Sequence, residues 1–283
     1  GQTICGVYRS SNKDTGKGIA QYSSMKSLIS DADLLYVASD ERARYEGCIA
    51  VIKEAKNLFF ESPFLLSQDE FNRLFHLAQE SKSAIRLNQR LLFHPVFQKI
   101  KSQLNPSLLN FRIELPLKYP TYNRLGQTLF DVCAIVWHSI HARFRKISFH
   151  PIKGSSNQYP EVLSFVIDFE DGSNANMLIN QLTNEENYQA EFIQQSKRIW
   201  ADFTKQALWI FEMKAGVANP VHEQFSLPDN LVVQSFGNFL KELNESSLSL
   251  TTNEDNQMVL FLTYHLFEKI YLHPRTQQAH RSI

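Results

Sequence analysis

The sequence predicts an α/β half followed by an α+β half, and three observations carry that reading. Between residues 34 and 104, short apolar runs alternate with amphipathic stretches of helical period, the rhythm of parallel strands joined by right-handed helical crossovers. Beyond Asn105-Pro106 the runs alternate apolar and charged residues, as strands with one wet face do. At 283 residues the chain is long enough for two modest cores, so the expected domains are 1–105 and 106–283.

Each element follows from local chemistry. Residues 3–8 are apolar and partly β-branched, which predicts a strand, and the polar residues 9–18 predict a loop. Residues 25–29 can form a helical turn ahead of a strong strand at 34–38. Tyr45, Ile49, Ile52 and Ala55 recur at helical spacing, so residues 44–54 are read as a helix. A strand at 58–60 ends in a sharp turn at Pro63, where proline fixes the backbone. Ser67 followed by Glu70 is a capping-box pair opening a helix through Phe71, Leu74, Phe75 and Ala78. A strand at 84–87 and a helix at 96–104 complete this half.

In the second half, residues 111–115 read as a half-wet strand and 128–141 as a long apolar helix. Strands are expected at 146–152, 162–169 and 174–182, with Glu170-Asp171-Gly172-Ser173 as a hairpin turn. Residues 198–212 show no regular period. Closing helices are expected at 231–243 and 257–272. The sum is a large, mostly antiparallel sheet with helices on one face.

Composition excludes several function classes. Twenty-nine basic residues balance 29 acidic ones, leaving no field to steer nucleic acid or an anionic membrane. No apolar run approaches the roughly 20 residues of a membrane helix. Cys5, Cys48 and Cys133 form no Cys-x-x-Cys pair and are read as reduced, buried thiols of a cytoplasmic protein. His138 and His141 form a His-x-x-His pair, a weak metal signal without a third ligand. No metal is expected.

The ordered series Ser39-Asp40, Glu41-Arg42-Ala43-Arg44-Tyr45-Glu46 and Glu61-Ser62-Pro63 resembles the Gfo/Idh/MocA family of NAD(P)-dependent sugar and inositol dehydrogenases. In that family one strand ends in Thr-Pro, a segment similar to Asn-His-x-His-Tyr-Glu follows, and the next strand ends in Glu-Lys-Pro. The family's second domain opens with a Gly-x-x-x-Asp-x-Gly-x-His-x-x-Asp helix, matched here by residues 128–138 with Asp131 kept. The resemblance covers almost the whole chain. It implies a Rossmann-type domain, incomplete at its amino end, followed by an α+β substrate and dimerisation domain. By the resemblance, the family's first strand and glycine-rich turn belong before Gly1, where the protein either carries them or never had them.

The resemblance also implies the site. The partners would be NADP or NAD and a small-molecule substrate, a sugar, polyol or related carbonyl compound. Ser39, Asp40, Glu61, Ser62 and Arg90 would lie along the cofactor, with Asn88 and His94 near Arg90 in the same polar segment. Arg9 and Ser10 end the strand at 3–8, where an arginine can pair with the 2′-phosphate of NADP or remain a solvated loop residue. Asp131 and His138 are the candidate catalytic pair, two helical turns apart on one face. The family's lysine is Ser62 and its acid/base histidine is Ile135. These two departures support a rival reading, a catalytically silent relative that binds ligand or acts as a scaffold. Family members commonly pair through the open face of this sheet, so a homodimer is expected. Phe165, Ile167, Phe169, Met177 and Ile179 form one uniformly apolar face, which is either core or the dimer patch.

Overall fold

The computed structural model describes residues 20–37, 44–61, 66–116, 122–152, 161–214, 217–227, 230–245 and 252–272. The strand expected at 3–8, together with Cys5, Arg9, Ser10, Ser39, Asp40, Ser62 and Pro63, lies outside those residues. The chain forms two compact units, Gly1–Asn88 with Glu242–Gln257, and Gln89–Lys241 with Met258–Ile283.

The first unit alternates helix and strand as α1 (Met25–Asp31), β1 (Leu34–Val37), α2 (Arg44–Lys53), β2 (Asn57–Phe60), α3 (Gln68–Ser81) and β3 (Ile85–Leu87). The strands pair in parallel in the order β1-β2-β3, with Val37, Phe60 and Leu87 in one row. Leu58, Phe59 and Phe60 are fully buried, as strands covered on both faces must be. Each such side chain contributes about 1.5–3 kcal/mol of burial. The capping box opens α3 as the sequence implies: Glu70 N–H donates to Ser67 Oγ, and Ser67 N–H donates to the Glu70 carboxylate at 2.7 Å.

The outer edge of β3 is closed by side chains rather than by another strand. Ile85 N–H donates to Asn253 Oδ1 at 3.0 Å and Leu87 N–H to Asn256 Oδ1 at 3.3 Å. The same amides return their N–H groups to Ser83 O at 3.2 Å and Ile85 O at 3.4 Å. Two asparagines of the last helix therefore satisfy ladder groups that would otherwise template another chain. Beside them Arg86 forms a buried ion pair with Glu242.

The second unit begins with a 3₁₀ turn (Arg90–Phe93) and continues with α4 (Pro95–Ile100), β4 (Leu108–Pro116), α5 (Tyr122–Ser139), β5 (Phe144–Ile152), β6 (Val162–Phe169), β7 (Asn174–Gln194), β8 (Lys197–Asp202), β9 (Ala207–Lys214) and β10 (Val217–Gln224). Helices α6 (Leu231–Glu245) and α7 (Asn253–Leu272) follow. The sheet runs β10-β9-β8-β7-β6-β5, and β4 pairs with β7. That pairing has a double register. Leu108, Leu109 and Asn110 face Asn174, Ala175 and Asn176 in parallel order, and also Ile193, Phe192 and Glu191 in reverse order. So β7 doubles back, and β4 lies between its two arms. Gly172 makes the β6–β7 turn with φ +86, a conformation that favours glycine.

Two expectations are corrected here. Residues 198–212 are regular: they hold β8 and β9, with Trp200 opposite Trp209. Strand β7 reaches Gln194 rather than ending at 182, and β10 was not foreseen. The apolar face of Phe165, Ile167, Phe169, Met177 and Ile179 is core, 0–2% exposed within the single chain. Helices cover it: Phe144 of β5 packs on Phe261 of α7, Thr128 of α5 bonds Tyr188 of β7, and Val132 to Val136 of α5 are fully buried. This face therefore gives no argument for a dimer. The opposite face is the open one, carrying Leu178, Trp200, Leu182 and Ile152 at 36–57% exposure.

Candidate functional site

In the first unit, polar groups collect at the carboxyl ends of the parallel strands, where open α/β sheets bind ligands. Glu61 N–H donates to Val37 O at 3.0 Å and Asn88 N–H to Phe60 O at 2.9 Å, so both residues extend the strands directly. Asn88 Nδ2 donates to Glu61 O at 3.2 Å. The Tyr36 phenol, stacked on Phe59, is pushed up to about 12 by burial first and then by the charge and hydrogen bond of Glu61. Asn88 is 1% exposed, and its Oδ1 accepts no hydrogen bond among the described residues. A buried acceptor left open at this edge, beside a carboxylate, suits a cofactor that presents N–H or O–H donors. In this respect the residues fit a nicotinamide nucleotide.

The second unit brings together two residues the sequence reading had kept in separate roles. Arg90 Nε and Nη2 donate to Asp131 Oδ2 at 3.0 and 2.6 Å. Gln127 Nε2 donates to Asp131 Oδ1 at 3.1 Å, one helical turn earlier on α5. Burial pushes the Asp131 carboxyl above its ordinary range, opposed by Arg90 and Gln127, and the Asp131 charge in turn raises Arg90. The Arg90 guanidinium stays charged well above any pH at which that carboxyl titrates. Thr128 Oγ1 and Tyr188 OH lie 3.1 Å apart, and burial pushes the Tyr188 phenol up. An Arg124–Glu186 ion pair stands on the same elements.

The remaining candidates are placed as follows. Ile135 is fully buried and offers no proton chemistry. His138 is half-buried toward the carboxyl end of α5, two turns beyond Asp131. His94 is 1% exposed and caps α4, its Nδ1 accepting from Val96 N–H at 3.2 Å. It also packs edge-on against Phe203, so it is a structural residue rather than a cleft donor. Arg9, Ser10, Ser39, Asp40 and Ser62 lie outside the described residues. Among the described residues no group of three His, Cys, Asp or Glu side chains comes together to hold a metal, and no helix is long and apolar enough to cross a membrane. Cys48 and Cys133 are both buried. Sequence reasoning missed Tyr36, Gln127 and Tyr188. Only Gln127 had a local signal, lying one helical turn before Asp131.

Residues 4–89 match the model of an oxidoreductase family with an NAD-binding Rossmann fold, Gfo/Idh/MocA. That match makes this segment similar to the Gfo/Idh/MocA family. No curated protein matches the sequence. Among solved structures, the fold is similar to UDP-N-acetylglucosamine 3-dehydrogenase GnnA from Acidithiobacillus ferrooxidans, with TM-score 0.78 and 14% identity over 90% of this chain and 83% of that one. It is also similar to a dehydrogenase (MviM) from Clostridium difficile, at TM-score 0.71 and 14% identity over 89% and 84% of the two chains. A levoglucosan dehydrogenase in complex with NADH and L-sorbose gives TM-score 0.72 and 11% identity over 89% and 82%. At these identities the structural likeness speaks for the fold: a Rossmann-like parallel sheet with a large antiparallel sheet domain.

Proposed function

We propose that this chain is an NAD(P)-dependent oxidoreductase of the Gfo/Idh/MocA family acting on a sugar, polyol or related carbonyl compound. The observation that carries the reading is the family match over residues 4–89, which ends at the Glu61 and Asn88 strand edge. The nicotinamide group would supply or accept hydride. The chain's own residues would bind and orient: Glu61 and Asn88 toward the cofactor, Asp131 and Arg90 toward substrate, with His138 as a further polar group on α5. The nucleotide-binding part would run to about residue 105. Titration calorimetry of the full-length protein with NADPH and NADH tests the reading, and no binding of either would sink it.

A second reading is favoured by one observation. Ile135 is fully buried where the family carries its imidazole, so a protein that binds ligand without turnover keeps the same fold. Screening polyols and sugars with bound cofactor separates the two: any turnover removes the silent reading.

We further propose a cytoplasmic homodimer, pairing through the open sheet face. Trp200, Trp209 and His222 stack there at centroid distances of 4.7 Å, beside exposed Leu178 and Leu182. Aromatic and aliphatic side chains in such a patch suit a protein partner. Sedimentation showing a monomer at micromolar concentration refutes the pairing.

A further inference from the structure

We infer that Arg90 holds the ligand of the second unit through its outward guanidinium edge, and that Asp131 makes this edge selective for a neutral vicinal diol over a carboxylate or phosphate. The inference rests on the sugar or polyol reading above and names the residue that would enforce it.

The geometry is that of a donor fixed from behind. A guanidinium carries five N–H groups in a planar fork. Asp131 takes one from Nε and one from Nη2, while Nη1 makes no hydrogen bond among the described residues and the side chain is 38% exposed. Asp131 itself is 1% exposed and further held by Gln127, so neither partner can swing away without stranding a buried charge. The free edge is thus pre-organised, and its two outward N–H groups match oxygens on adjacent carbons.

Charge decides which oxygens. Asp131 compensates Arg90, and Glu186 compensates Arg124, so the cluster has no net charge to attract an anion. A carboxylate or phosphate reaching Arg90 would also meet the Asp131 carboxylate and lose much of what it gains. A hydroxyl needs only the donor edge. The adjoining Thr128 and Tyr188 hydroxyls, each able to donate and accept, extend the same preference.

The test uses the full-length protein with NADPH present and three probes sharing one ring: D-glucose, D-glucuronate and D-glucose 6-phosphate. Binding is read by calorimetry and saturation-transfer NMR, and thermal melting checks that each variant folds. The wild type is expected to bind D-glucose about tenfold tighter than either anion. Arg90→Gln should weaken D-glucose about tenfold, and Arg90→Lys should do the same because it keeps the charge but loses the fork. Asp131→Asn should reverse the order and place D-glucuronate first. Anion preference in the wild type, an unchanged order in Asp131→Asn, or binding of NADPH with none of the three probes overturns the inference. Loss of NADPH binding in the wild type would instead strike the proposed function itself.

Discussion

Asn256→Leu should destabilise the first unit far more than its position in a helix suggests. The side chain is fully buried and supplies the acceptor for Leu87 N–H at 3.3 Å and the donor for Ile85 O at 3.4 Å. Leucine has nearly the same volume, so little cavity forms, but two ladder groups of β3 are left without partners. An orphaned buried polar group costs about 1–3 kcal/mol, and these bonds are long, so the sum is about 2–4 kcal/mol. Asn253→Leu removes the neighbouring pair at 3.0 and 3.2 Å from a half-buried site that water can reach, for about 1 kcal/mol. Gln257→Leu, exposed and 3.5 Å from Asn72, should change stability by less than about 0.5 kcal/mol. Thermal unfolding by circular dichroism ranks the three, and hydrogen exchange at the Leu87 amide reports the edge directly. Equal melting of Asn256→Leu and Gln257→Leu, or an unchanged Leu87 exchange rate, would refute the reasoning.

Two further predictions concern protonation and cofactor choice. Burial holds His94 down at about 4, from an ordinary 6.5. A depressed histidine contributes stability that is present above pH 6.5 and lost as pH falls toward 4, up to about 3 kcal/mol for this shift. His94→Asn keeps a side-chain acceptor at the start of α4 and should flatten urea-denaturation midpoints between pH 6.5 and 4; an unchanged pH slope would count against a neutral, buried His94. Arg9→Ala should weaken NADPH about ten- to a hundredfold and leave NADH nearly unchanged, if the arginine pairs with the 2′-phosphate. Equal losses for both cofactors would move Arg9 to the pyrophosphate.

What could be read from the sequence was whatever chemistry lies within a few residues of itself. The Ser67–Glu70 box, the Gly172 turn and the spacing within α2 each bring cause and effect together locally. Strands β8 and β9 escaped because their open face also carries apolar rings, Trp200, Trp209 and Phe211, which erases the polar–apolar alternation. Strand β10 carries Pro220 in mid-run, a residue tolerated there because β10, among the described residues, is an edge paired only with β9. The two arms of β7 are joined without Gly or Pro, and the polar run Thr183 to Asn187, where Glu185 N–H donates to Thr183 Oγ1, is the only local mark of the reversal. The Arg90–Asp131 pair joins residues 41 apart, and the Asn253 and Asn256 edge joins residues about 170 apart. No local pattern encodes such partnerships.

The placement of polar groups on α5 narrows how a proton could move in the second unit. From Val132 to Val136 the helix is fully buried hydrocarbon and thiol, and Cys133 is pushed up to about 12 by that burial. Before that stretch α5 carries Gln127, Thr128 and Asp131, and beyond it His138. Asp131 is held by Arg90 and Gln127, which leaves it poorly placed to act as a free base. Tyr188, bonded to Thr128 and within the field of Arg90, is the phenol that remains beside them. Burial keeps that phenol protonated, so in turnover it would serve as a neutral hydrogen-bond donor to the substrate oxygen rather than as the proton carrier. Tyr188→Phe should then lower kcat by about a hundredfold or more while NADPH affinity, read separately by calorimetry, stays the same. Turnover that survives the substitution would remove Tyr188 from the substrate oxygen, and His138 would be the next group to test.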